Sequence, residues 1–524
     1  MLLTPNRSRA ILKTERNVIM QDTAVATARG ASYFVVQSVI TTLGMAISFA
    51  ILARIVTTAD MGVLAVLTLI VAISQTVVGP VSQAVTKFVA ENLSTESNTV
   101  SSSAFFQCLR LTLILAGAFA LIVFLGAPVL SLYLLGRLSY AEFFQILAVD
   151  VVFTGLTPVL SGGLLGLRKY KEIAVVGIAS TLLRQVLIII LIIILKNFIG
   201  LVIGWLISDL LASILYSTYL LKIFRRPSFS FPLRELLNYS WPLSISSSLN
   251  FAQSWFDRTL LIFYVPLTAL GVYNATVTAF GVLLGISAAM VNSLFPLYSS
   301  HGPEHYVNLK ESVRLATRYS SFIILPIAWG LIATAKLGLT FFLGKAYLAG
   351  TEPLIIMTLA FAIGAFAITA VQPVLLALGE TLPYSAISVI SVLSSIGLAL
   401  ILLPISGIVG AAIARAVGMI LMAALVLVAV HNKLGLKIDK EGIWKSNVAA
   451  IVMAGILMAL QFFVYRELLL PAYAVIGLMI YLAVLRLTRA VHEQDVELIQ
   501  RYLGSRLSFV AKLLRILVAP TKSA

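Results

Sequence analysis

Charge is scarce in this chain. Only 11% of its 524 residues are Asp, Glu, Lys or Arg, under half the roughly 25% of an ordinary soluble domain, which excludes a soluble globular class. Cys108 is the sole cysteine, so neither a disulfide framework nor a cysteine-based metal site is expected. Histidine is almost as rare. His301, His305, His431 and His492 all fall in loops or the tail, and the pair His301 and His305, near Glu304, reads as a solvated loop. No Gly-rich Walker loop is present, so the chain does not hydrolyse nucleotide by itself. Outward loops of only a handful of residues leave no platform for catalytic acids. No metal, no cofactor and no enzymatic activity are expected.

What fills the space is apolar. Hydrophobic residues make up 60% of the chain and mean hydropathy is +1.03. Continuously apolar segments recur along it, each near the ~20 residues a helix needs to cross a ~30 Å hydrocarbon core. About fourteen are expected, 383–404 and 407–430 among them. They lack the period-two alternation of a membrane barrel, so the chain reads as an all-α, multi-pass membrane protein.

Lysine and arginine outnumber aspartate and glutamate by 37 to 21, unevenly across the membrane. One set of loops carries Arg168, Lys169 and Lys171, then Lys222, Arg225, Arg226 and Arg234, then Lys433, Lys437, Lys440 and Lys445; the other set offers little beyond Arg137, Lys196, Lys345 and Arg466. Basic residues at span ends are retained in the cytoplasm, which predicts cytoplasmic termini and the cytoplasmic membrane as location. The net charge of +16 suits anionic lipid headgroups. Nucleic acid is not expected as a partner, because the charges are scattered along loop edges rather than gathered on one face. The tail Val496 to Val518, with Arg501, Arg506, Lys512 and Arg515 among apolar residues, reads as an amphipathic helix on the inner leaflet.

The chain repeats itself. Gly62 in "TTADMGVLAV" matches Gly271 in "PLTALGVYNA", "LLGR" ending at Arg137 matches "FLGK" ending at Lys345, and "TPVL" at Thr157 matches "QPVL" at Gln372. The near-constant shift of about 210 residues is the signal of two like units. Six spans separate each pair, so the copies point the same way. The expected division is a cytoplasmic segment 1–28, a six-helix bundle 29–221, a basic linker 222–238, a second bundle 239–430, a cytoplasmic loop 431–446, two further helices within 447–487 and a tail 488–524.

"ARIVTTADMGVLAV" from Ala53, with Pro242, Asp257, Gly271-Val-Tyr273 and Phe295-Pro296 in the second half, resembles the polysaccharide-transporter branch of the multidrug/oligosaccharidyl-lipid/polysaccharide (MOP) exporter superfamily, which contains the O-antigen flippases. The likeness spans nearly the whole chain and departs at Val56-Thr57 and Met61. It implies two six-helix bundles in a V-shaped arrangement like that of the MATE exporters, plus two C-terminal helices, with cargo passing between helices 1, 2, 7 and 8.

Those helices are also the polar ones. Gln37 lies in helix 1, Gln75 in helix 2 and Asn274 in helix 8; in helix 7, Ser246, Asn250, Gln253 and Asp257 recur at spacings of three and four and share a face. An ionised residue at the middle of a membrane helix costs about 2.5–3.5 kcal/mol on insertion scales, so it reads as functional. Arg54, Asp257 and Arg258 are the expected charged residues of the route, with Arg54 and Asp257 pairing when the outer mouth closes. Asp150, Arg184, Asp209, Lys336 and Arg415 are candidates for charge pairing or gating, and Gly79-Pro80 is expected to interrupt helix 2 as a hinge.

The expected function is a monomeric flippase that moves a lipid-linked oligosaccharide by alternating access. The resemblance implies a polyprenyl phosphate or pyrophosphate carrier, and such a cargo would favour cationic cavity residues, because arginine forks bind phosphate oxygens. Membrane lipids and a coupling ion, H+ or Na+, complete the expected partners. A cation-coupled multidrug exporter of the same superfamily and a membrane glycosyltransferase or polymerase remain as alternatives.

Overall fold

A computed structural model describes residues 33–92, 98–224, 231–300, 306–435 and 438–490. The segment 1–28 and the tail Val496 to Val518, expected as an amphipathic helix, lie outside the described residues, as do His301, His305 and part of the basic linker. Among the described residues every regular element is a helix, as lipid demands: without water, a spanning backbone must satisfy its own N–H and C=O groups.

The residues form two compact units, one taking those up to Ile55 and Val66–Phe251, the other Val56–Ala65 and those from Ala252 on. The first contains α1 (Tyr33–Ile55), most of α2 (Thr58–Glu91), α3 (Asn98–Leu135), α4 (Ala141–Gly166), α5 (Tyr170–Leu195), α6 (Gly200–Leu221) and the start of α7 (Leu233–Tyr264). The second contains the rest of α7, then α8 (Leu267–Ser299), α9 (Tyr306–Ala333), α10 (Ala335–Phe342), α11 (Thr351–Phe366), α12 (Gln372–Ala377), α13 (Thr381–Leu434), α14 (Lys440–Phe463) and α15 (Leu470–Leu487).

Twelve helical stretches among the described residues are long and apolar enough to cross a membrane. Two details bring that number to the expected fourteen. The 54-residue α13 is two spans joined at Gly407, whose φ of 53° and ψ of −125° lie where a side chain would collide with the backbone and glycine does not. In α7, serines at 240, 244, 246, 247, 248 and 254 and the charges of Asp257 and Arg258 lower the hydropathy of a 32-residue helix.

Other irregularities have local causes. Pro373 cannot donate to the Thr369 carbonyl, and the helix widens there into a π turn over Ala367–Val371 before α12 begins. The turns after the matched "LLG" and "FLG" segments share a left-handed glycine, φ 71° at Gly136 and 103° at Gly344. The expected interruption at Gly79-Pro80 is not seen: α2 runs unbroken from Thr58 to Glu91 with Pro80 inside it. Pro removes one backbone bond, which 34 residues of otherwise helical sequence tolerate.

Each unit has its own core. Val78, Val85 and Phe88 of α2, Phe105 of α3, Leu160 of α4 and Tyr216 of α6 pack in the first; Tyr298, Leu309, Val374, Ile387 and Val426 pack in the second. Many other apolar side chains point outward, such as Leu125, 70% exposed, and Phe462, 88% exposed. So much exposed apolar surface suits a hydrocarbon solvent.

Candidate functional site

Intramembrane charges gather in two clusters, one in each unit. In the first unit they sit on α4, α5 and α6. Asp150 is fully buried, and its Oδ2 lies 3.3 Å from Thr154 Oγ1, one turn further along α4. The same hydroxyl lies 3.0 Å from Asp209 Oδ2 of α6. Arg184 of α5 approaches that Asp209 oxygen at 3.4 Å, with its guanidinium 5.0 Å from the centre of the Trp205 ring. Asp150 Oδ1 has no hydrogen-bond partner among the described residues. Arg184 thus lies against Asp209, and two carboxyl groups stand beside this one cation.

The second cluster joins α7 to the second span of α13. Arg415 Nε donates to Asp257 Oδ2 at 2.7 Å and Arg415 Nη2 to Oδ1 at 2.9 Å, a two-pronged pair around a fully buried carboxylate. Tyr273 Oη of α8 donates to Oδ2 at 2.5 Å, and the Arg258 backbone N–H to Oδ1 at 2.8 Å. Within its own unit, the partner of Asp257 is Arg415. A planar guanidinium meets both oxygens of a carboxylate at once, which an ion removed from water requires if the pair is to offset its desolvation.

Arg258 is left as a surplus cation. Its guanidinium lies 3.7 Å from the centre of the Trp255 ring, its Nη2 donates to the Ser254 carbonyl at 2.7 Å, and its Nη1 reaches Asn274 Oδ1 only at 3.4 Å. Its Nε has no acceptor. Arg415 Nη2 also donates to the Ser254 carbonyl, at 3.0 Å. Both guanidinium groups therefore donate to the Ser254 carbonyl while Arg415 alone holds the carboxylate, leaving a net charge of +1.

Gln253 is half-buried, its Nε2 3.1 Å from Met422 Sδ, and Asn250, one turn earlier, is exposed. The face expected to share one cavity thus changes character along α7. In the first unit, Arg54 is exposed near the end of α1, Gln75 is exposed on α2, and the half-buried Gln37 amide lies against Gly177 of α5. Lys336 is exposed, 5.7 Å from the centre of the Tyr465 ring.

A cleft of about 1270 Å³ opens elsewhere in the second unit, between α8, α9, α14 and α15. Its walls are mainly apolar: Leu294 and Leu297 of α8, Ile323 and Ile327 of α9, Leu457 of α14, Leu478 of α15. One side is rigidly tied. Tyr481 Oη donates to the Phe322 carbonyl at 3.1 Å and lies 2.7 Å from Ser446 Oγ, Trp329 Nε1 donates to Asn447 Oδ1 at 2.8 Å, and Arg318 Nη2 donates to the Ala490 carbonyl at 2.7 Å. These bonds bind α14 and α15 onto α9.

Residues 51–351, more than half of the chain, match the family described as "Polysaccharide biosynthesis protein". The chain belongs to that family. This places the family member in the polysaccharide branch of the MOP superfamily that its motifs resemble. Among curated relatives, a probable low-salt glycan biosynthesis flippase of Haloferax volcanii is 24% identical over 278 residues, covering 51% of this chain and 57% of that protein; the match spans little more than half of the relative. Among solved structures, the inward closed conformation of the lipid II flippase MurJ aligns over 86% of this chain and 97% of its own, with a TM-score of 0.72 and 15% identity. An inward-facing multidrug resistance MATE family transporter of the MOP superfamily covers 75% and 94%, with a TM-score of 0.60 and 14% identity. At such identities these two report the fold.

The family member's clusters contain residues that pattern reading passed over. Thr154 stands four residues after Asp150, and Trp255 three before Arg258, spacings that place each pair on one helix face; both were legible. Tyr273 was in the quoted Gly-Val-Tyr motif. Nothing local marks Trp205 or Met422.

Proposed function

We propose that this protein is a flippase carrying a polyprenyl phosphate- or pyrophosphate-linked oligosaccharide across the cytoplasmic membrane by alternating access. The observation that carries the reading is the pairing, within one unit, of a surplus arginine and a long apolar cleft. Arg258, braced on Trp255 with donor capacity to spare, suits the phosphate of a headgroup. The cleft of about 1270 Å³, above the ~300–1,000 Å³ of small-molecule pockets, suits hydrocarbon. An amphiphile with an anionic head and a long apolar chain needs both. Membership of a polysaccharide biosynthesis family supports the same cargo.

In this reading Asp257 and Arg415 are positioning residues. Their pair holds the Ser254 carbonyl and thereby the Arg258 guanidinium. Arg54, Gln37, Gln75, Asn250, Gln253 and Asn274 are proposed to line the glycan route, Lys336 to meet phosphate, and Gly79 with Pro80 to flex. The boundaries 29–221 and 239–430, the cytoplasmic termini, the monomeric state and the absence of catalysis belong to the same proposal.

The test is loss of the gene followed by leaflet-resolved analysis of carrier-linked glycans. Full-length carrier-linked glycan should accumulate on the cytoplasmic face, and the wild-type chain should clear it. An unchanged glycan profile accompanied by new drug sensitivity would replace the flippase with the multidrug exporter.

A further inference from the structure

The first unit holds an imbalance that binding a headgroup does not explain. Asp150 and Asp209 both turn an oxygen toward Thr154 Oγ1, at 3.3 and 3.0 Å. A threonine hydroxyl has one hydrogen to donate, so it serves one carboxylate and faces the other with its lone pairs. Arg184, at 3.4 Å from Asp209, supplies one positive charge. Asp150 is fully buried with Oδ1 unpartnered, and Asp209 is 9% exposed. Two like charges so placed, away from water, cannot both be retained.

The groups around the pair give no other relief. Arg184 is the cation from α5 and Asp209 the acid from α6. On α4, Glu142 is exposed two turns before Asp150. On α3, Phe105 lies beside Gly163, so Cys108 and Arg110 belong to the opposite end of α4 from Asp150, and Tyr133 is 75% exposed. The charges of α2, Asp60, Lys87 and Glu91, stand at its ends.

We propose that Asp150, Thr154, Asp209 and Arg184 form a proton-binding site, in which the two carboxyl groups share one dissociable proton. The proton sits on a carboxyl oxygen and is donated to its neighbour or to Thr154 Oγ1, completing the bond that the single hydroxyl hydrogen cannot make. A metal ion fits poorly. Among the described residues no group of three or more His, Cys, Asp or Glu is placed to hold one, and the Arg184 guanidinium lies where a cation's charge would be repelled. In a transporter, such a site would let proton movement bias one conformation, an idea that rests on the flippase reading; the proton's presence does not.

Infrared difference spectroscopy of the full-length protein in nanodiscs tests it without any cargo. At neutral pH a protonated-carboxyl carbonyl band should be present and should vanish reversibly on alkaline titration. Asp150→Asn and, independently, Asp209→Asn should each abolish it, because either change leaves a single carboxylate for Arg184; Glu142→Gln should leave it intact. If one aspartate variant does not fold, the other decides. No acid band at neutral pH in the wild type, or one that survives both substitutions, overturns the proposal. So does a band removed by sodium but not by potassium chloride, which would make the ligand a metal ion.

Discussion

Gly62 and Gly271 cross reciprocally, each against the chain one turn before the other. A Cβ on Gly62 would lie 2.1 Å from the Leu267 carbonyl oxygen, and one on Gly271 would lie 1.9 Å from that of Thr58. Positions 62 and 271 are also matched in the internal repeat, so the contact is what two related helices make when both leave out the side chain at their crossing. Backbones this close gain packing that lipid cannot replace. Gly62→Ala and Gly271→Ala should each force the helices apart, with a loss in the range of about 1–3 kcal/mol expected for overpacking. Thermal unfolding of purified protein in detergent measures it; wild-type midpoints for both would mean the crossing is not tight.

Arg415→Ala should be among the most damaging substitutions. It leaves the Asp257 carboxylate buried with the Tyr273 hydroxyl and one backbone N–H as partners, and breaking a buried pair from one side costs about 3–5 kcal/mol. Replacing both members, Asp257→Asn with Arg415→Met, should restore most of the stability because no charge is then stranded. The same unfolding measurement distinguishes the outcomes, and a double variant no better than Arg415→Ala would count against the pair as drawn.

Arg258→Ala is expected to lower transport at least tenfold while the melting midpoint stays near that of the wild type, since the guanidinium's own protein contacts are few. Arg258→Lys should recover only part of it, because an ammonium neither stacks on Trp255 in the same way nor presents a two-pronged fork. Complementation of a glycan-deficient strain and midpoints measured together decide this. Full function in Arg258→Ala would take the residue off the route.

Filling the cleft should uncouple the two parts of the cargo. Ser293→Trp on α8 and Ala474→Trp on α15 place bulk into the space of about 1270 Å³ from two walls. Both should depress transport of long-chain carriers more than that of short-chain analogues. Equal effects on the two would show that the cleft does not receive the chain.

How much of this was legible follows from the kind of residue. The spans were readable because each is an uninterrupted apolar run, and α13 was readable as two, 383–404 and 407–430, because the runs part where Gly407 leaves helical backbone angles. The matched Gly136 and Gly344 both stand at turns of positive φ, so the repeat carried real geometry. Helix α2 runs on through Pro80, because proline's missing bond is a local property and what packs beside it decides whether the helix gives way.

Hydropathy by itself determined that the chain is a bundle of membrane helices, because in lipid the backbone has no partner but itself, and the matched segments determined that it is built twice over. The tertiary structure alone decided that Asp257 meets Arg415, 158 residues away, that Asp150 and Asp209 face one threonine, and that a cleft opens beside α15. Each depends on which faces of distant helices turn toward one another, and that is settled by the packing of many side chains at once.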